Sequence, residues 1–379
     1  MPKILLIADS DALWTKRAVE YLLLPAGYEI VIFPIWGHKG QFDDYYREHG
    51  VTVYRDPHRL PVIRHIPRVR MWARIALNAR DLAKYGPFDV VHNHYLSQRD
   101  LSLGWRVSRR FHARWVCTFW GSDLLRASDR SLRQMLPYLR RCDRLTACNE
   151  RMRDKLRQSC GEQLYQKTRM TIWGQDGFAA IDRVLSTETR EDCRAHYDIR
   201  PGNYVVSIGY SADNAQHQLE VVEALSALPK ETLSHMTLVL QQTYVKRDPA
   251  YMERVRQAAE ALPCQAVVLR DFLDLTETAR PRLRADLFIL AIATDAFAAS
   301  MQEYLYAGAV FLMGDWLGYP QLDELGIPIN RFHEYKELPA LVEQAMNGKL
   351  SKAADEQRAL LPGHYSWDAV RKDWLGLYE

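Results

Sequence analysis

Short apolar runs alternate with helical stretches from the first residues of this chain, and the alternation starts afresh after residue 200. Residues 3–8, 29–33, 51–54, 89–92, 115–119, 144–147 and 170–172 read as strands. Residues 16–24 have helical periodicity, 61–83 reads as helix beyond Pro67, and another helix opens at Asn149. The second series has strands at 204–209, 236–241, 266–269, 287–291 and 310–313, with helices at 217–227, 249–261 and from 300. Strands that alternate with helices predict parallel, doubly wound sheets. Two such units fit 379 residues. The polar stretch 186–202, closing on the Pro201-Gly202 turn signal, reads as the linker.

Composition narrows the class. Apolar residues at 47% and charged residues at 26% exclude a disordered chain. No apolar run reaches eighteen residues, so no membrane-spanning helix is expected. The opening MPKILLIADSD reads as a strand and an acidic loop rather than a secretory signal, and a cytoplasmic protein is expected. None of the six cysteines forms a C-x-x-C pair, so reduced thiols are expected. Charge is unevenly spread. Residues 1–180 hold 30 Lys+Arg against 18 Asp+Glu, a net of +12, and the remainder hold 20 against 29, a net of −9. The first half therefore suits an anionic partner, although Arg-rich solvated helix faces give the same count.

The most informative segment is 294–313, T-D-A-F-A-A-S-M-Q-E-Y-L-Y-A-G-A-V-F-L-M. Asp295 lies on a strand-to-helix loop, and Ser300 to Glu303 open a helix whose free N–H groups suit a diphosphate. Glu303 can accept hydrogen bonds from a ribose diol. The plainer alternative is a capping box, with Ser300 as cap and Glu303 reaching back.

With seven residues between Asp295 and Glu303, the segment resembles the carboxylate-x7-carboxylate motif of family 4-type GT-B glycosyltransferases. In that family the first carboxylate meets the donor sugar and the second the ribose. Further landmarks keep the family's order: Trp120-Gly121-Ser122-Asp123 is similar to its H-G-S-D turn, and Gly174-Gln175-Asp176-Gly177 to its G-x-D. Ala285-Asp286-Leu287-Phe288 matches the strand before the motif, and Tyr365-Ser366-Trp367 with the helix after it matches the C-terminal helix. The resemblance implies an α/β fold of the GT-B type, with two Rossmann-like domains facing across a cleft. Residues 1–185 plus a crossing-back helix at 365–379 would bind the acceptor, and residues 200–364 the nucleotide-sugar.

There are departures. The first carboxylate is Asp295 rather than Glu, Ala298 replaces Gly, Trp120 replaces His, and Asp9-Ser10-Asp11 stands where a Gly-Gly loop is usual. The usual Arg and Lys-Gly clamp is absent. The loop from Gly209 to His217 instead resembles that of bacterial fucosamine-type transferases, which places Gly209, Ser211, Asn214 and His217 on the donor, with Lys246 or Arg270 supplying positive charge. Lys246 is adjoined by Arg247. Phe297, Ser300 and Glu303 complete the donor set. The catalytic candidates are Asp123, His94 and Asp295, with His92 as a further alternative. Asp9, Asp11, Lys16, Trp120, Arg68 and Arg70 are the acceptor-side candidates. The D-x-D of Asp9 and Asp11 reads as a polar loop. No metal and no cofactor beyond the co-substrate are expected, because GT-B enzymes stabilise the leaving group with helix dipoles and basic side chains.

The basic segment 64–74 interleaves arginines with apolar and aromatic residues, a pattern suited to an anionic membrane surface. The expected function is transfer of a sugar from a UDP-, GDP- or TDP-sugar to a glycan or lipid-linked acceptor, in bacterial surface polysaccharide or glycoconjugate synthesis. The expected location is the cytoplasm, at the inner face of the membrane. The alternatives are a GT-B protein that binds nucleotide-sugars without transfer, and a protein glycosyltransferase. Nucleic acid is not an expected partner. The two family resemblances imply opposite stereochemistry, retention for family 4 and inversion for the fucosamine type.

Overall fold

A computed structural model describes residues 1–63, 65–243 and 248–379. The chain divides into two compact units, one of residues 1–174 with 367–379 and one of residues 175–366.

The first unit is built on a seven-stranded parallel sheet of β1 (Lys3–Ala8), β2 (Glu29–Pro34), β3 (Thr52–Val53), β4 (Val90–His94), β5 (Arg114–Thr118), β6 (Arg144–Ala147) and β7 (Thr168–Met170), in the order β3-β2-β1-β4-β5-β6-β7. The central strands β1 and β2 are continuous apolar runs after their first residue rather than alternating, as expected of strands covered on both faces. Ile4, Leu5, Leu6 and Ile7 are all buried, as are Val90 and Val91. β4 continues into three buried polar residues, His92, Asn93 and His94, each with a hydrogen-bond partner. The last strand falls at 168–170 rather than 170–172, because Leu145 to Ala147 of β6 set its register against Thr168 to Met170.

The second unit has a six-stranded parallel sheet of β8 (Tyr204–Ile208), β9 (Met236–Gln241), β10 (Gln265–Leu269), β11 (Leu287–Leu290), β12 (Val310–Gly314) and β13 (Asn330–Phe332), in the order β10-β9-β8-β11-β12-β13. Within each unit the strand order reverses once, between β1 and β4 and between β8 and β11. Such a reversal parts the loops at the carboxyl ends of the two strands and leaves a crevice where ligands bind in open α/β sheets.

Two stretches differ from the expectation. The 16–24 run is not one α-helix but an α-helix at Leu13–Arg17 continued by a π-helix at Ala18–Leu23, which turns Ala18, Val19, Leu22 and Leu23 inward. The 186–202 stretch is not a free linker. It carries a helix at Arg190–Ala195 with a Thr189–Asp192 capping box. Cys193 is buried beneath it, and Arg194 holds Asp286 in a two-oxygen ion pair. Asp286 in turn accepts the Val205 N–H at 2.8 Å, which fixes the start of β8. The segment is therefore part of the second unit.

The C-terminal helix Trp367–Leu375 belongs to the first unit. Trp367, Val370, Trp374, Leu377 and Tyr378 join one core with Ile4, Leu6, Ile30, Ile32 and Val116. Trp374 Nε1 donates to the Ile172 carbonyl at 2.8 Å. Among the described residues, no helix is long and apolar enough to cross a membrane.

Candidate active site

In the second unit the candidate loops lie on the two strands that flank the order reversal. The 209–217 loop follows β8 and the Asp295 loop follows β11. Gly209 is in the left-handed region at φ 62°, and a Cβ there would come within 2.8 Å of Gln216 Oε1. That oxygen accepts the Tyr210 N–H at 3.2 Å, so the loop folds around the Gln216 amide. Ser211 is buried and Asn214 is exposed. His217 caps the Gln218–Leu225 helix from the left-handed region, and its Nδ1 is 2.7 Å from the Tyr335 hydroxyl.

Asp295 accepts from the Tyr319 hydroxyl at 2.7 Å, the Ala298 N–H at 2.8 Å and the Tyr210 hydroxyl at 3.2 Å. Burial pushes its carboxyl above the usual carboxylate range, against these donors, which favour the ionised form. Phe297 is packed between the rings of Tyr319 and Tyr365, at 5.9 and 5.1 Å, and anchors the loop rather than presenting an open face.

The capping box does not form. The helix spans Ala299–Tyr306 with Ala298 at the cap position, so Ser300 already lies inside the first turn. Ser300 Oγ and Glu303 instead meet Arg282, a residue the sequence reading passed over. Arg282 donates from Nη2 to Ser300 Oγ at 3.0 Å, from Nε to Glu303 Oε2 at 3.1 Å and from Nη1 to Gln241 Oε1 at 2.8 Å. Its guanidinium lies 4.5 Å from the centre of the Tyr304 ring. Both members of the Arg282–Glu303 pair are almost wholly buried, with side chains 1% and 5% exposed. Glu303 Oε1 faces Gly177, where any Cβ would stand 2.3 Å away. A side chain at residue 177 would displace the carboxylate, which gives a physical reason for glycine at the end of the Gly174-Gln175-Asp176-Gly177 motif.

Among the basic candidates, Arg270 is exposed just beyond β10, at the edge of the sheet and two strands from β8. Lys246 and its neighbour Arg247 lie outside the described residues.

In the first unit His94 ends β4 and Asp9 and Asp11 follow β1, the strands at the reversal, whereas Trp120 and Asp123 follow β5. Asp123 is 8% exposed and accepts three backbone N–H groups, those of Leu96 and Trp120 at 2.8 Å and of Gly121 at 3.1 Å. It ties the turn after β5 to the loop after β4. Burial still pushes its carboxyl up to about 7. His94 is buried among Trp14, Trp120 and Trp173, and burial brings its imidazole down to about 3. The Trp120 indole N–H donates to His94 Nδ1 at 3.2 Å, which assigns the ring proton to Nε2. A neutral imidazole of that kind can orient a hydroxyl but does not take a proton near neutral pH. His92 is held by the Thr118 and Tyr378 hydroxyls, at 2.8 and 3.0 Å.

Asp9 and Asp11 serve the loops around them. Asp9 accepts the Asp11 N–H at 3.1 Å. Asp11 accepts the N–H groups of Lys39 and Gln41 at 2.6 and 2.8 Å. Lys16 pairs with Glu20 at 2.6 Å and lies over the Tyr45 ring. Trp120 is half-buried, 4.5 Å from both Trp14 and Trp173. Arg68 and Arg70 share the Pro67–Leu82 helix but part company. Arg68 is exposed, whereas Arg70 lines a cavity of about 950 Å³ inside this unit. That cavity opens at the carboxyl ends of β2, β3 and β4, and Trp36, Arg74 and Arg99 share its lining.

Comparison with known proteins follows the same division. Residues 21–174 match the family model described as Glycosyltransferase Family 4. A sequence search of curated proteins finds no match. Solved structures resemble the chain over its whole length. HepE of Anabaena in complex with UDP and glucose has a TM-score of 0.73 at 15% identity, covering 99% of both chains. A glycosyltransferase from Rickettsia africae has a TM-score of 0.77 at 14% identity, covering 100% of this chain and 97% of that one. Sucrose-phosphate synthase from Thermosynechococcus elongatus has a TM-score of 0.72 at 14% identity, covering 100% and 98%.

Proposed function

We propose that this chain, with a segment at residues 21–174 that matches the Glycosyltransferase Family 4 model and a fold shared over its whole length with glycosyltransferase structures, is a family 4-like glycosyltransferase that transfers a hexose to a glycan or lipid-linked acceptor in bacterial surface polysaccharide or glycoconjugate synthesis. The observation that carries this reading is the placement of the 209–217 loop and the Asp295 loop on β8 and β11, the strands flanking the reversal in the second unit. UDP is the first nucleotide to test, because HepE of Anabaena was solved with UDP and glucose.

On this reading the second unit holds the nucleotide-sugar. The Gly209, Ser211, Asn214 and His217 loop and the N-terminus of the Ala299–Tyr306 helix offer N–H groups to the diphosphate. Glu303 accepts from the ribose, with Arg282 fixing its carboxylate. Asp295 orients the sugar, and Arg270 and Lys246 add positive charge. The first unit holds the acceptor. A bond forms between an acceptor oxygen and the anomeric carbon as the bond from that carbon to the diphosphate breaks. The acceptor proton passes to a base, for which Asp123 is the candidate, and His94 positions the hydroxyl. The basic segment of the first unit fits work at the inner face of a membrane.

Thermal shift with UDP-, GDP- and TDP-sugars, followed by an assay of donor hydrolysis, tests the reading. Stabilisation and turnover of one donor are expected. Stabilisation without turnover would favour a binding protein that lacks transfer activity.

A further inference from the structure

Resting on the reading of the first unit as the acceptor side, we propose that its 950 Å³ cavity takes the phosphate or diphosphate group of an acidic acceptor. Four arginines line this cavity, Arg55, Arg70, Arg74 and Arg99, against two aspartates, Asp56 and Asp100. The aspartates are already spent. Asp56 accepts Nε and Nη2 of Arg74, and Asp100 accepts Nε of Arg99 at 2.8 Å. Arg99 Nη2 is also bonded, to the Ile35 carbonyl. These bonds hold the two guanidinium groups in place and leave Nη1 of each without a protein partner among the described residues.

Arg70 differs. Its Nε is buried and has no hydrogen-bond partner among the described residues. A guanidinium in that condition has lost part of its hydration with no compensating bond, and this favours an anion beside it. Arg70, Arg74 and Asn78 fall at successive i, i+4 positions of one helix, so they lie on one face of it. Planar guanidinium forks match the oxygens of a phosphate. Three such groups against two aspartates leave the lining net positive, which suits an anion.

The surroundings are apolar on the same side. Met71, Ile75 and Leu103 line the cavity, and Trp36 does so while remaining 58% exposed. The helix that carries Arg70 also exposes Val69, and Ile66 just before it is exposed as well. An anionic head and an apolar tail would both be accommodated. The head chemistry is common to a lipid-linked phosphate and a soluble sugar phosphate.

Calorimetric titrations of the full chain with inorganic pyrophosphate, farnesyl diphosphate and farnesol, in saturating UDP, test the proposal. Both diphosphates are expected to bind wild-type protein, and Arg70→Ala to weaken both at least tenfold. Arg70→Lys keeps the charge but loses the fork, and is expected to fall between. Arg133→Ala removes an exposed charge elsewhere and is expected to change nothing. Thermal melts establish that each variant is folded. Farnesyl diphosphate binding at least tenfold tighter than pyrophosphate supports the proposal with a lipid-linked source, and equal binding supports it with a soluble one. No binding of either diphosphate, farnesol binding as tightly as farnesyl diphosphate, or unchanged affinity in folded Arg70→Ala would overturn it. Titration of UDP alone is a separate reading, and its failure would count against the donor assignment instead.

Discussion

Asp123 carries two demands on one carboxylate. Its three backbone N–H donors make it the knot of the turn after β5, and its carboxyl is pushed up to about 7 because burial outweighs those donors. If the ionised form receives the acceptor proton, kcat/KM is expected to rise as pH passes upward through about 7. Asp123→Asn is expected to lower kcat by about 10²–10⁴-fold and remove that limb. A pH–rate profile of wild type and variant checks both. The stability sign runs the opposite way to activity. A carboxyl raised on folding favours the native state in acid, and that contribution fades as pH climbs from the ordinary carboxylate range to about 7. In the second unit, Arg282→Met leaves Glu303 buried without its cation. Removing one member of a buried pair is expected to cost about 3–5 kcal/mol, read from denaturant midpoints. Midpoints that do not move would mean that Glu303 is held by other groups.

At the scale of elements, the C-terminal helix is the one whose loss should matter most to a distant part of the sequence. Trp374→Ala empties a fully buried site in the first unit and is expected to cost about 3–5 kcal/mol. Protease protection of the first unit should fall while residues 175–366 stay protected, and equal loss in both units would refute the division. Elements of this kind were legible to different degrees. β1, β8 and β11 were readable because a strand covered on both faces is a largely continuous apolar run, β4 only from its Val90-Val91 start, and their ends mark where the candidate loops begin. Helical periodicity at 16–24 was also readable, but not its division into α and π turns, which is decided by what packs beneath it. The contacts that finish the candidate site were not readable at all. Arg282 lies 21 positions before Glu303, on a helix that contains Pro281, and nothing local marks it as the partner. Asp11 reads as part of a D-x-D, yet its oxygens hold backbone N–H groups 28 and 30 residues away. Such pairings are made by the tertiary fold, and a single sequence carries no local signal for them.

Over the whole molecule, residues 1–180 carry a net of +12 and the remainder −9. The basic part includes the cavity arginines and the exposed Arg68, and the acidic part includes Asp295 and Glu303. On the proposed reading, a donor nucleotide held by the acidic half needs local N–H groups and a few fixed cations rather than a general positive field, and the 209–217 loop and the Ala299–Tyr306 helix are the proposed source of those N–H groups. The most direct measurement is release of free nucleotide from UDP-, GDP- and TDP-sugars by the purified chain, alongside Glu303→Gln. At least one donor is expected to be cleaved above the buffer rate, and Glu303→Gln is expected to reduce that rate at least tenfold. The absence of both binding and cleavage with every donor would contradict glycosyl transfer by this chain.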